Sequence, residues 1–307
     1  MSKANAASVE TKKINYARKK NLVAYSFILP NFIGFVCLTL IPITFSFVLS
    51  LCEWDAGNTS TITFVGLNNF KKMISDSTFI ISIKNTVYYS LGVVPFTLIL
   101  SLLLAMLMNC RLKGRNFFRS VIFFPYVASL VAVAVVWNAL FHPDSGPVNQ
   151  FLMAIGIQNP PRWAASTAWA MPTLILLSIW KNVGYYTVVY LAALQGIPSE
   201  LREAATIDGA NAFKRFTNIT WPMVTPTTFF VTIMLTIYTF KVFDIMYITT
   251  QGGPGRSTNV LVYHIYNKAF ISLQFGYASA LSIILFAIVL VITILQFRVE
   301  KKFTSYL

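Results

Sequence analysis

Two histidines, three cysteines and ten acidic residues are the obvious chemical resources of this 307-residue chain, and their spacing excludes most of what they could do. His142 and His264 have no partner ligands nearby. Cys37, Cys52 and Cys110 are odd in number and lack metal-ligand spacing, and two of them lie in or at the end of apolar runs, which argues against a disulfide framework or a zinc site. The sequence has no Gly-x-x-x-x-Gly-Lys-Ser/Thr loop to cradle nucleotide phosphates and no Gly-x-Ser-x-Gly elbow to present a nucleophile. What remains is non-covalent recognition. Trp180, Lys181, Asn182 and Tyr185 sit together in one apolar run, and Tyr238, Thr239, Lys241 and Asp244 in another. Aromatic faces beside amide, hydroxyl and charged groups suit a polyhydroxylated ring, whose apolar face stacks while its hydroxyls meet donors and acceptors.

The second chemical resource is a polar island at about residues 199–220, between the two runs. Pro198-Ser199-Glu200 supplies a helix start with Ser199 as cap, Ala204 and Ala205 favour helix, and Gly209 breaks it with a turn that a side chain would resist. A second short helix then leads to Pro222, which opens the next apolar run. Glu203-Ala204-Ala205, three residues, Gly209, nine residues, Ile219, one residue, Trp221-Pro222 resembles the signature of permease subunits in binding-protein-dependent ATP-binding-cassette importers. Trp221 stands where that pattern has Leu, an exchange between bulky apolar residues at a membrane interface. Phe64-Val65-Gly66-Leu67-Asn68-Asn69-Phe70, Phe240, Phe243-Asp244 and Gly252-Gly253-Pro254 extend the resemblance to carbohydrate-type permeases over roughly residues 20–307, closest to the first of the paired permeases in maltose-type and glycerol-phosphate-type importers.

The resemblance implies the type I importer fold and a coupling role for Glu203, Ala204, Ala205, Asp208, Gly209, Ile219 and Pro222, which would dock on an ATPase. It also brings Asn182, Tyr185, Tyr238 and Thr239 to positions that hold sugar in such permeases, and the chemistry of their neighbours extends the expected substrate path to Trp180, Lys181, Lys241 and Asp244. The implied partners are a second, different permease, two ATP-hydrolysing subunits and an extracellular solute-binding protein. ATP and magnesium would belong to the ATPase, so this chain would carry no cofactor and no catalytic residue.

Composition sets the elements that must position these residues. The chain is 56% hydrophobic and only 11% charged, against about a quarter charged in soluble proteins. It belongs in a lipid bilayer. Its net charge of +14 is gathered in short clusters beside the apolar runs, the pattern of membrane loops and not of a nucleic-acid surface. The expected architecture is all-α, with spans at Leu22–Leu51, Thr86–Cys110, Ser120–Phe141, Ala168–Leu194, Pro222–Ile248 and Ser272–Phe297. Tails at 1–21 and 298–307 flank a single membrane domain at 22–297. Arg111, Lys113, Arg115 and Arg119 place the loop after the second span in the cytoplasm, which puts the island and both termini there too. A short helix is expected near Val148–Ile155.

The lysines in the spans admit two readings. Taking a rise of about 1.5 Å per residue, Lys181 lies roughly 25 Å from Pro198 and Lys241 roughly 28 Å from Pro222, in the outer half of the bilayer. From there a lysine can snorkel to the interface, or it can face a polar cavity, which its neighbours favour. Lys241 and Asp244, three apart on one helix face, can also pair with each other. The reading that follows is a bacterial plasma-membrane permease subunit for a sugar or oligosaccharide, working by alternating access. Glycerol phosphate is the alternative solute, although an anion site would be helped by arginines that these spans lack. A stand-alone secondary transporter is the alternative class, and it would be expected to hold ionisable groups near the midplane.

Overall fold

The computed structural model describes residues 20–56, 61–110 and 114–304, with side chains through residue 300. The expectations for the basic tail at 1–19, for Arg111 and Lys113, and for the side chains of Lys301 and Lys302 lie outside the described residues. Among those described, five helices are long and apolar enough to cross a membrane, and a bent pair supplies a sixth span. They are α1 (Lys20–Ser50), α3 (Ser77–Asn109), the pair α4 (Arg115–Val127) and α5 (Leu130–Leu140), α7 (Ala170–Gln195), α9 (Ala212–Phe240) and α12 (Phe275–Thr304).

Shorter elements fill the connections. A two-stranded antiparallel ribbon, β1 (Cys52–Glu53) with β2 (Thr63–Phe64), and α2 (Asn68–Ser75) join α1 to α3. The helix α6 (Pro147–Ala154) stands where the turn residues place one, and α8 (Ser199–Ile207) is the first half of the island. Two further short helices, α10 (Asp244–Thr249) and α11 (Leu261–Tyr266), lie between α9 and α12.

Three expectations need correction. The second span begins nine residues before Thr86, because Asp76 caps it: its Oδ1 accepts the amides of Thr78 at 2.8 Å and Phe79 at 3.3 Å. The third span is not one helix from Ser120 to Phe141 but two segments bent by 97° around Ala128 and Ser129. Pro125 lies within α4, and both hinge residues are in extended backbone. The fifth helix ends at Phe240, eight residues short of Ile248. Lys241 is its cap and Asp244 opens the separate helix α10, so the two do not share a helix face. Nor do they form one of the ion pairs of the described residues.

Three buried clusters form the interior: a small one of Met73 from α2, Leu261 from α11 and Ala280 and Leu281 from α12, and two larger ones along the spans, called outer and inner after the orientation expected from the basic loop. An outer cluster joins Tyr89 and Val93 of α3, Val133 and Trp137 of α5, Leu174 and Leu177 of α7, and Ile245 and Met246 of α10. An inner cluster joins Leu102, Ala105 and Met108 of α3, Tyr190, Leu191 and Leu194 of α7, and Val224, Val231 and Leu235 of α9. Helices α3 and α7 pass through both. Polar contacts cross between helices here, Tyr89 with Ser178 and Ser90 Oγ with Thr239 Oγ1 at 2.8 Å, as satisfied polar groups in a dry interior must.

At the end where α3 starts, His264 is only 3% exposed and its Nε2 lies 3.2 Å from Asp76 Oδ2, which also accepts the Tyr277 hydroxyl at 2.8 Å. Burial works against ionised Asp76, but the hydrogen bonds from Tyr277 and Thr78 and the nearby His264 leave its pKa below the usual carboxylate value. Burial also lowers the pKa of His264, and the carboxylate only partly opposes it. His264 is therefore neutral near pH 7, and the pair is a hydrogen bond more than an ion pair.

Candidate functional site

The island is built by backbone geometry first. Pro198, in extended conformation, is the N-cap of α8, and Ser199 is its first helical residue and not the side-chain cap that its position suggested. The helix ends in a Schellman turn. Gly209 has φ +73°, its N–H donates to Thr206 O at 3.1 Å, and the Ala210 N–H donates to Ala205 O at 2.9 Å. Asn211 then caps α9, its Oδ1 accepting the Lys214 amide at 2.9 Å. The second island helix is continuous with the fifth span through a widened π turn at Phe216–Thr220, so Pro222 lies within a helix already running.

Side chains brace this frame. Arg215 Nη1 donates to Thr206 Oγ1 at 3.1 Å, Thr206 Oγ1 donates to Arg202 O at 2.7 Å, and Arg202 Nη2 donates to Leu194 O at 2.7 Å. This chain of bonds joins α9 to α8 and α8 to the end of α7, where carbonyls have no partner within the helix. Of the seven residues assigned to coupling, Glu203, Ala204, Asp208 and Gly209 are exposed at the tip, while Ala205, Ile219 and Pro222 are half-buried. Ile219 packs on the inner cluster. Two residues not singled out from the sequence dominate the tip: Ile207 is 86% exposed and Phe213 73% exposed. Apolar residues in a polar island were the available signal. Such side chains held outward on a braced turn are what a protein partner's pocket would take.

The residues assigned to the substrate path divide into groups. Tyr185 stacks on Tyr126 of α4 with ring centroids 4.6 Å apart and planes 18° apart. The Tyr238 hydroxyl has Asn182 and Tyr126 as neighbours, so α4, α7 and α9 meet in one cluster of aromatic, hydroxyl and amide groups. Beside it a cavity of about 320 Å³ is lined by Leu130, Met234, Ile237, Tyr238, Lys241, Val242, Phe243, Asp244 and Ile245. One cation and one anion face it together. Trp180 lies apart against Trp137, at 5.6 Å, and Thr239 is fully buried against Ser90 of α3. Lys181 donates to three backbone carbonyls of the bent span. Tyr126 was not legible as a partner because it is 59 residues from Tyr185 and only the packing of α4 on α7 brings the two together.

Comparison with known proteins adds an independent finding. Residues 97–305 match the family model described as binding-protein-dependent transport system inner membrane component. A probable ABC transporter permease, YesP of Bacillus subtilis (strain 168), is 38% identical over 299 residues, covering 96% of each chain. The sn-glycerol-3-phosphate transport system permease UgpA of Agrobacterium fabrum is 34% identical over 286 residues, covering 93% of this chain and 97% of its own. Among solved structures, a chain of a bacterial ABC transporter involved in import of the acidic polysaccharide alginate superposes with a TM-score of 0.83 at 25% identity, over 94% of this chain and 99% of that one.

Proposed function

The chain belongs to the family of binding-protein-dependent transport system inner membrane components, and from that premise we propose that it carries a sugar or oligosaccharide across the bacterial plasma membrane. It is a multi-pass permease subunit of an ABC importer, working with a second permease, ATPase subunits and a solute-binding protein. ATP hydrolysis resides on the separate ATPase chains, with their nucleotide and magnesium. The island at 199–220 docks on one of them through Ile207, Phe213 and the exposed Glu203-Ala204 edge. Closure of the ATPase pair drives the spans between inward-open and outward-open states, which requires that the island make different contacts in each.

The observation that carries the sugar reading is the meeting of Tyr126, Asn182, Tyr185 and Tyr238 beside a cavity whose lining includes Lys241 and Asp244. Stacking surfaces and amide and hydroxyl groups serve a neutral polyol. The opposite charges leave no net positive charge to hold a phosphate, which sets this reading apart from the glycerol phosphate named for several relatives. Tyr185→Ala and Tyr238→Ala are each expected to lower uptake of the transported sugar about tenfold or more, the equivalent of about 1.4 kcal/mol of lost recognition. Assembly with the partner subunits should be unchanged. Normal uptake in both variants would move the path to other helices.

Orientation follows from the basic loop after the second span and gives a separate test. Single cysteines at Thr61 and Asn116, both exposed, in a background lacking Cys37, Cys52 and Cys110, should differ toward a membrane-impermeant thiol reagent in intact cells. Thr61→Cys reacts and Asn116→Cys does not until the cells are opened. The reverse pattern would invert the topology and place the island outside.

A further inference from the structure

We infer that Lys181 is a positioning residue that clamps the inner half of the bent span to α7, so that movement of the island reaches the bend at Ala128-Ser129. The inference rests on the importer reading above. Its first support is geometric. Lys181 Nζ donates to Pro125 O at 3.1 Å, Tyr126 O at 3.3 Å and Ala128 O at 2.9 Å, so the three donors of one ammonium meet three carbonyls at the end of α4. A helix end leaves such carbonyls without intrahelical partners, and the bilayer supplies no water to replace them. The lysine has its donors taken up by backbone carbonyls and not directed into the cavity beside Tyr238. It completes the broken helix.

The position of the break gives the clamp a mechanical meaning. Outside it, Val133 and Trp137 of α5 belong to the outer cluster, and inside it Ile122 of α4 packs against the inner one. The bend therefore joins two separately packed bodies, as a hinge does. Helix α7 belongs to both and grips α4 twice. One turn inside Lys181, the backbone at Gly184 lies so close to α4 that an added Cβ would stand 1.9 Å from Ile122 O. At its far end α7 is tied to the island by Arg202 on Leu194 O at 2.7 Å. Thirteen residues, about 20 Å of helix, thus connect the docking element to the bend. Tyr126, one of the clamped carbonyl groups, is also the residue stacked on Tyr185, so a change of bend moves the path's own surface.

The test is made on the complete importer with its partner permease and ATPases. Spin labels at Val121 of α4 and Val135 of α5, both exposed, report the bend in nucleotide-free and ATP–vanadate-trapped states. The parental complex and Lys181→Arg should show a shift in label distance on trapping. Lys181→Met should lose it. Because Lys181→Met could compromise assembly, Arg202→Met at the exposed end of the same rod provides a second cut, and it too should abolish the shift. A parental shift that persists in either Met variant, or no shift in the parental complex, overturns the clamp. A parental complex that does not hydrolyse ATP would instead overturn the importer reading beneath it.

Discussion

Gly209→Val is expected to lower solute uptake about tenfold or more while the membrane domain still folds and reaches the membrane. An added Cβ at this site meets nothing within 4 Å, so the effect does not come from crowding. It comes from φ +73°, a conformation that costs an ordinary L-residue roughly 1–2 kcal/mol and a β-branched one more. The turn is exposed, and no surrounding core holds it in a strained form. It will relax by giving up the bonds from Gly209 N to Thr206 O and from Ala210 N to Ala205 O, and the orientation of Ile207 and Phe213 goes with them. The mechanism predicts a ranking. Gly209→Asn, which tolerates the left-handed region, retains most uptake, Gly209→Ala less and Gly209→Val least. Uptake measured per unit of membrane-inserted protein checks it, and a ranking in which Gly209→Ala retains more than Gly209→Asn would show that the site reads side-chain bulk and not backbone conformation.

The largest effect on folding is expected at Gly184. Its missing side chain lets α7 lie directly on α4, and a Cβ there would stand 1.9 Å from Ile122 O, 2.7 Å from Ile122 C and 3.0 Å from Phe123 Cα. These are backbone atoms, which cannot rotate aside. Gly184→Ala must push the helices apart, at a cost at or above the roughly 1–3 kcal/mol typical of overpacking, and the Lys181 bonds one turn away lengthen with it. We expect a clear fall in detergent-solubilised thermal stability and in membrane yield. Gly92→Ala meets only the flexible Ile175 side chain and should cost less, and Gly34→Ala meets nothing and should cost least. If Gly184→Ala behaves like Gly34→Ala, the close packing of α4 on α7 is wrong.

What could be read from the residues alone follows the range of the forces involved. Helix α7, expected at Ala168–Leu194, runs from Ala170 to Gln195 because an apolar run and its flanking turns fix a span locally. The island was legible for a similar reason: Gly209, Asn211 and Pro222 act within a few residues of themselves. The bend of the third span was not, since Pro125 and Ser129 are compatible with a continuous helix until Lys181, more than fifty residues away, takes the freed carbonyls. Hydropathy and the turn residues from Thr250 to Gly255 carry the fifth span to Ile248, and neither registers that the helix ends at the cap Lys241. His264 and Asp76, 188 residues apart, meet only once α3, α11 and α12 have packed.

Turning ATP hydrolysis at the cytoplasmic face into binding-protein-dependent sugar entry is the proposed activity of this permease. Its most direct test is uptake of labelled sugars into proteoliposomes holding the complete complex, with the solute-binding protein outside and ATP and magnesium inside. Sugar should accumulate against a gradient only when both are present, and Gly209→Val should lose most of that accumulation. Accumulation that proceeds without ATP, or that a proton gradient alone can drive, would contradict the proposed activity.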